Sequence, residues 1–269
     1  MSVAKHGVAI FFVVVFLTPF VFVLLTAMMT QQQALSPRLW PNPFQWSNFS
    51  QVFKLVPFAL YTYNTVVYAV LATIGVVLSS VPVAYAFSRM RWRGRQGVFL
   101  LLLATIMLPA QVTIVPLFVI FTRLHWIGSL RPLIVPAFFG DAFSIFLLRQ
   151  FFLTIPEELV DAARVDGASE LQILWHVIVK LAKPAIMAVG LFQFLYCWND
   201  FFGPLLYSGS NERIWTLSVG LSQFTTIHRG VLWNLQMAAS LMFMLPVIVL
   251  FVLAQKVFIE GVTLTGVKG

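Results

Sequence analysis

Three long stretches of this chain hold no charged side chain: nothing between Lys5 and Arg38, Lys54 and Arg89, or Arg95 and Arg123 is Asp, Glu, Lys or Arg. A helix crosses the hydrocarbon of a bilayer with about 20 apolar residues, and each gap is longer than that. A water-soluble domain has to interrupt such runs to cover its surface. The rest of the composition agrees: 60% of the 269 residues are hydrophobic and 10% are charged, against roughly 25% charged in an ordinary soluble domain. A soluble enzyme, a disordered tail and a secreted disulfide scaffold are excluded, the last also because Cys197 is the single cysteine. The chain reads as an all-α, polytopic membrane protein. Its net charge of +8 is therefore a matter of loops facing the cytoplasm, not of nucleic-acid binding.

The gaps between charges mark six expected spans, at about 8–29, 60–87, 98–121, 132–153, 184–207 and 235–258, in a single transmembrane domain over 1–269. The first is too long for the apolar core of a signal peptide and is read as an uncleaved anchor. The fourth is impure, with Asp141 and Arg149, and the fifth holds Asp200. Six spans put both termini on one side. With the N-terminus inside, the inner segments collect Lys5, Arg89, Arg91, Arg93, Arg95, Arg149, Arg164, Lys180, Lys183, Lys256 and Lys268. The outer ones collect only Arg38, Lys54, Arg123, Arg131, Arg213 and Arg229. The positive-inside rule then places both ends in the cytoplasm. Prolines 19, 82, 109, 116, 136, 204 and 246 fall within the spans, where broken backbone is tolerated only beside neighbouring helices or a cavity.

One inner segment is too polar and too long to be a plain connection. Residues 154–183 hold five of the nine acids, Glu157, Glu158, Asp161, Asp166 and Glu170. Thr154 with Glu157, and Ser169 with Gln172, have capping-box spacing. Gly167 suits the left-handed conformation that ends a helix. The pattern predicts two helices joined by an elbow, the first short and small-centred at Ala162–Ala163. The second carries Leu171, Leu174, Trp175, Ile178 and Val179 as an apolar stripe.

Asp161-Ala162-Ala163, then Asp166-Gly167-Ala168, then Pro184 resembles the EAA loop of ATP-binding-cassette importer permeases. The block IPEELVDAARVDGAS, Trp198-Asn199-Asp200-Phe201 and the tail Gly261-x-Thr263-x-x-Gly266-Val267-Lys268-Gly269 are similar to the carbohydrate branch, the maltose-permease type. The sequence departs from that pattern in two places: the leading Glu is Asp161, and Val179-Lys180 stands where Leu-Pro is usual. The resemblance implies that 154–183 is a coupling helix loop that docks on a separate ATPase subunit. Asp161, Ala162, Ala163, Asp166, Gly167 and Ala168 would form its docking surface. It implies a second, homologous permease subunit, two ATPase subunits that bind ATP and Mg, and an extracellular or periplasmic substrate-binding protein. No cofactor is expected on this chain.

The chain is not itself an ATPase by motif: a phosphate-binding loop needs G-x-x-x-x-G-K-[ST], and the nearest match, from Gly261 to Lys268, has Val267 in place of the lysine. The four histidines, His6, His125, His176 and His228, show no metal-ligand spacing. Intramembrane polar groups face cavities or other helices. Asn199 and Asp200 are therefore read either as pathway-lining groups or as interhelical hydrogen-bonding ones. Tyr196 and Trp198 are read either as sugar-stacking rings or as interfacial belt residues. The outer segments 31–58 and 208–234 are the parts available to a binding protein. An ion-coupled secondary transporter is the alternative function, although no repeat of the kind common there is visible; an integral-membrane enzyme would need a His, Asp or Glu constellation that the chain lacks.

Overall fold

The computed structural model describes residues 2–227 and 232–266, with side chains over 5–109, 111–222 and 232–255. Arg229, Lys256 and the side chains of the tail from Gly261 to Gly269 thus lie outside the described residues. Helix is the only regular structure among the described residues. Four helices are long and apolar enough to cross a membrane: Lys5–Ala27, Phe58–Ser88, Arg131–Thr154 and Trp233–Gln255. Two bent pairs, Arg95–Ile106 with Gln111–Arg123 and Glu170–Leu181 with Lys183–Asn199, bring the total to six if each pair is one span.

The breaks have local causes. The third expected span turns by 96° at Pro109, which caps the helix Ala110–Arg123 and cannot donate to a continuing ladder. In the fourth, a 3-10 turn at Val135–Phe139 ends at Gly140, whose φ of +95° suits glycine. Asp141 then caps the helix Ala142–Thr154 by accepting from Ser144 N and Oγ. Asp141 is therefore a helix cap, not a mid-helix charge. The fifth span stops at Asn199 instead of near Tyr207: a new short helix, Phe202–Ser208, follows Asp200.

The chain forms two compact units. The first comprises Met1–Thr62 with Thr216–Phe251. Within it, Asn48 Nδ2 donates to the carbonyls of Ala27 and Met29, both at 2.8 Å, and so satisfies orphan acceptors at the end of the first helix. Gly220 lies against Tyr61 so closely that an added Cβ would sit 2.4 Å from the ring. The Lys5–Ala27 helix exposes its apolar side chains almost all round.

The second unit comprises Tyr63–Trp215 with Val252–Gly269. Leu148, Phe152, Val160, Ile173 and Ile178 are fully buried in one cluster. Two arginines cross at its end. Arg89, just past the helix Phe58–Ser88, donates to the carbonyls of Phe152 and Ile155 at the end of Ala142–Thr154. Arg149 on that second helix donates through Nε to Phe87 O at 3.2 Å and lies over the Phe99 ring at 4.2 Å. Each helix thus supplies the cation for the other's C-terminus, where free carbonyls and the dipole favour positive charge. This explains how Arg149 sits in an apolar helix without a carboxylate: it has carbonyl and ring partners, and Asp141 is not one of them.

Candidate functional site

Two places in the second unit gather the residues singled out by the sequence: the polar elbow and a cavity. In the elbow, the helix Glu157–Val165 begins after Pro156 with Glu157 and Glu158 in its first turn, where the helix dipole favours acids. Thr154 does not cap it. Thr154 is the last residue of the preceding helix and its hydroxyl donates to Phe151 O, because Pro156 fixes an extended turn between the two. The second capping box, Ser169 with Gln172, forms as expected.

The helix ends in a Schellman motif. Ala168 N donates to Ala163 O and Gly167 N to Arg164 O, each at 3.0 Å, and Gly167 has φ +81°. That geometry divides the motif residues by task. Ala163 and Ala168 are half-buried against the core cluster, the small contact that accompanies such a turn. Asp161, Ala162, Val165, Asp166 and Gly167 are exposed. Val165 is 89% exposed, an apolar side chain in the middle of a polar surface that sequence reasoning passed over. The elbow is braced from within. Arg164 binds Asp161 at 3.0 Å and Glu170 at 3.1 Å, and the Tyr85 hydroxyl donates to Glu170. The Glu170 hydrogen bond, followed by the attraction of that carboxylate, raises the Arg164 guanidinium above its usual range. These are exposed pairs that fix geometry more than they stabilise.

Beyond Glu170 the chain makes a π-turn at Leu174–Ile178 and bends by 80° before Lys183. The wider turn shifts the helical register. The buried positions are Ile173, Leu174 and Ile178, whereas Leu171 and Trp175 from the expected stripe face outward.

The cavity, about 680 Å³, is lined by the helix breaks at Gly140–Asp141 and at Asp200. Asp141 and Asp200 reach it, with Tyr68, Gln193, Tyr196 and Tyr207. Asp200 accepts from Gly203 N at 3.1 Å and from the Tyr68 hydroxyl at 2.9 Å. Of the four pathway residues expected from sequence, Tyr196 and Asp200 line this cavity. Trp198 is buried and stacked on Phe194, with ring centroids 5.6 Å apart, and Asn199 donates to Leu195 O at 2.8 Å; neither lines it. The helical period could have separated them: Gln193, Tyr196 and Asp200 follow one another at three and four residues and share a face, whereas Trp198 is two residues from Tyr196 and points away. Tyr68 comes from a distant segment and had no local signal, whereas Tyr207 sits on the short helix that directly follows Asp200. No group of three or more His, Cys, Asp or Glu side chains that could hold a metal occurs among the described residues.

Gly203 is a tight point. A Cβ there would meet Asp200 Oδ2 at 2.6 Å and Leu133 Cδ2 at 3.0 Å. Gly203→Ala is expected to push the Asp200 carboxylate off its two donors and to destabilise the protein by ~1–3 kcal/mol, as overpacking does. A melting curve of the purified protein checks this, and an unchanged melt would count against the contact.

The family profile described as "Binding-protein-dependent transport system inner membrane component" matches residues 63–263. The chain is 33% identical over 230 residues to the sn-glycerol-3-phosphate transport system permease protein UgpE of Yersinia pestis bv. Antiqua (strain Antiqua), covering 83% of this chain and 81% of the relative. It is 35% identical over 207 residues to the arabinooligosaccharides transport system permease protein AraQ of Bacillus subtilis (strain 168), covering 77% of this chain and 73% of the relative. Among solved structures, a chain of a bacterial ABC transporter involved in the import of the acidic polysaccharide alginate superposes with a TM-score of 0.83. That match covers 95% of both chains at 25% identity.

Proposed function

The chain belongs to the inner membrane components of binding-protein-dependent transport systems, and from that premise we propose that it forms one half of the translocation pathway of an importer for a sugar or sugar-like solute. It is a transport subunit, not an enzyme. ATP and Mg are handled by two partner ATPase subunits, a second permease completes the pathway, and an extracytoplasmic binding protein delivers the solute. The chain works as one permease domain in the bacterial cytoplasmic membrane with both termini in the cytoplasm.

The observation that carries this reading is the elbow: a short helix closed by a glycine turn, braced by Arg164, with Asp161, Ala162, Val165, Asp166 and Gly167 exposed on it. Small residues let a partner's cleft close over the helix, and the acids and Arg164 give it polar handles. Ala163 and Ala168 tie the same helix to the core. Movement of a docked partner is therefore passed to the spans as a rigid shift, the way packed elements switch between two arrangements. The cavity near Asp200 is the pathway segment whose access the shift alternates.

The test is uptake into proteoliposomes that contain the chain with its permease, ATPase and binding-protein partners. Uptake is expected only with ATP and Mg inside, where the ATPase subunits face, and it should survive a protonophore. Uptake by the isolated chain, driven by an ion gradient without ATP, would establish the secondary-transporter reading instead.

A further inference from the structure

Resting on the reading of the cavity as part of the pathway, we propose that this cavity accepts an uncharged polyhydroxylated solute, a neutral sugar or polyol, and rejects phosphorylated or carboxylated ones. The argument is one of charge. Asp141 and Asp200 stand on its walls, and none of its described lining residues is Lys, Arg or His. Both carboxylates accept from donors around them: Asp141 from Ser144 N and Oγ, at 2.7 and 2.6 Å, and Asp200 from Gly203 N and the Tyr68 hydroxyl. That is the role of an ionised carboxylate. Asp200 also follows directly on the C-terminus of Lys183–Asn199, where the dipole is negative. The one basic residue on Ala142–Thr154, Arg149, is turned to Phe87 O and the Phe99 ring, so it offers the cavity nothing.

An anion entering such a space exchanges its water for two like charges in a medium of lowered dielectric, and repulsion there is far stronger than in bulk water. A neutral sugar meets a suitable surface. Its hydroxyls donate to the carboxylate oxygens and to Gln193, and its C–H faces lie on the rings of Tyr196, Tyr207 and Phe192. The volume of about 680 Å³ is within the ordinary range of small-molecule sites. The chain would thereby differ by charge preference from relatives whose names specify glycerol phosphate or an acidic polysaccharide.

The experiment uses the complete transporter and two readouts. In the first, Gln193→Cys on a Cys197→Ser background is labelled with cationic and with anionic methanethiosulfonates, each rate normalised to that with free cysteine. The cationic reagent is expected to react at least about tenfold faster, a field effect of ordinary size for a cleft lined by one sign of charge. The ratio should collapse towards unity when Asp141→Asn and Asp200→Asn are added. Both changes are close to isosteric, and Asn still caps a helix. In the second readout, ATP-driven uptake is compared for arabinotriose, sn-glycerol 3-phosphate, an alginate trisaccharide and glucosamine. Arabinotriose should exceed both anions by about tenfold or more, and the double Asn variant should narrow that gap. Equal labelling rates, or anion uptake matching the neutral sugar, would each overturn the proposal. Absence of ATP-driven uptake with all four probes would instead overturn the transport reading, because the labelling ratio reports the cavity's charge without transport.

Discussion

Ala162→Trp is expected to lower ATP-driven uptake about 30-fold or more while the protein reaches the membrane at its usual level. Ala162 is exposed on the elbow helix, so an indole there disturbs no packing of this chain. It does fill the space that a partner's cleft has to enter. Loss of one central, well-packed contact in an interface costs on the order of 2–4 kcal/mol, which is a 30- to 1000-fold effect, by the ~1.4 kcal/mol that separates each decade. The ATPase subunits should also cease to copurify with the variant. The neighbouring Ala163→Trp is a poorer test, because Ala163 packs against the core and a large ring there would damage the fold as well. Gly167→Asp acts twice: it forces a side chain into the left-handed region and adds charge to the same face, although nothing lies within 4 Å of the new Cβ. Uptake near that of the parent protein in Ala162→Trp would remove the elbow from the coupling path.

Arg89→Ala is expected to have the largest effect on stability. It deletes two charged hydrogen bonds, to Phe152 O and Ile155 O, at the end of a packed helix, leaving Phe152 O with only the Ile155 N–H. Hydrogen bonds to charged groups contribute about 1.5–3 kcal/mol each, so the loss is roughly 3–6 kcal/mol. The amount of folded protein in the membrane should fall several-fold, since even ~1–2 kcal/mol changes abundance to that degree. Arg89→Lys should recover only part of this: both bonds leave one nitrogen, Nη2, and an ammonium can also donate twice, but on a side chain one bond shorter. Immunoblots of membrane fractions, with melting curves of what can be purified, measure both. Parental levels in Arg89→Ala would mean that the crossed caps are dispensable.

The two arginines also show what could and could not be read from the chain. Arg89 looked like one of four inner basic residues that set orientation, and Arg149 like an awkward charge in a span. Their work depends on carbonyls more than 60 residues away in sequence for each, a pairing that no local pattern encodes. What local pattern does encode was legible. Charge-free gaps located long apolar helices, because the demand for an apolar run acts on every residue independently of the tertiary fold. Gly167 stopped its helix because φ there is positive, and Ser169 with Gln172 closed a box four residues long. The failures have equally local reasons. Pro156 displaced the cap expected at Thr154, a π-turn rotated the stripe after Ile173, and Asp200 ended the fifth span eight residues early. Trp198 and Tyr196 look equivalent in composition, yet the helical period puts them on different faces. The cavity needed the fold, because Tyr68 joins Asp200 from 132 residues away in sequence.

The early end of the fifth span bears on the bilayer itself. Lys183–Asn199 has 17 residues, about 26 Å at 1.5 Å per residue, a few Å short of the roughly 30 Å hydrocarbon thickness. Hydrophobic mismatch of that sign is relieved by local thinning of the lipid. Such thinning would bring the lipid–water boundary towards Asp200 and lower the cost of keeping its charge beside the cavity. A dimple in one leaflet beside this subunit would let the solvent reach the cavity mouth, and a thicker-chain lipid, which resists dimpling, should slow solute entry.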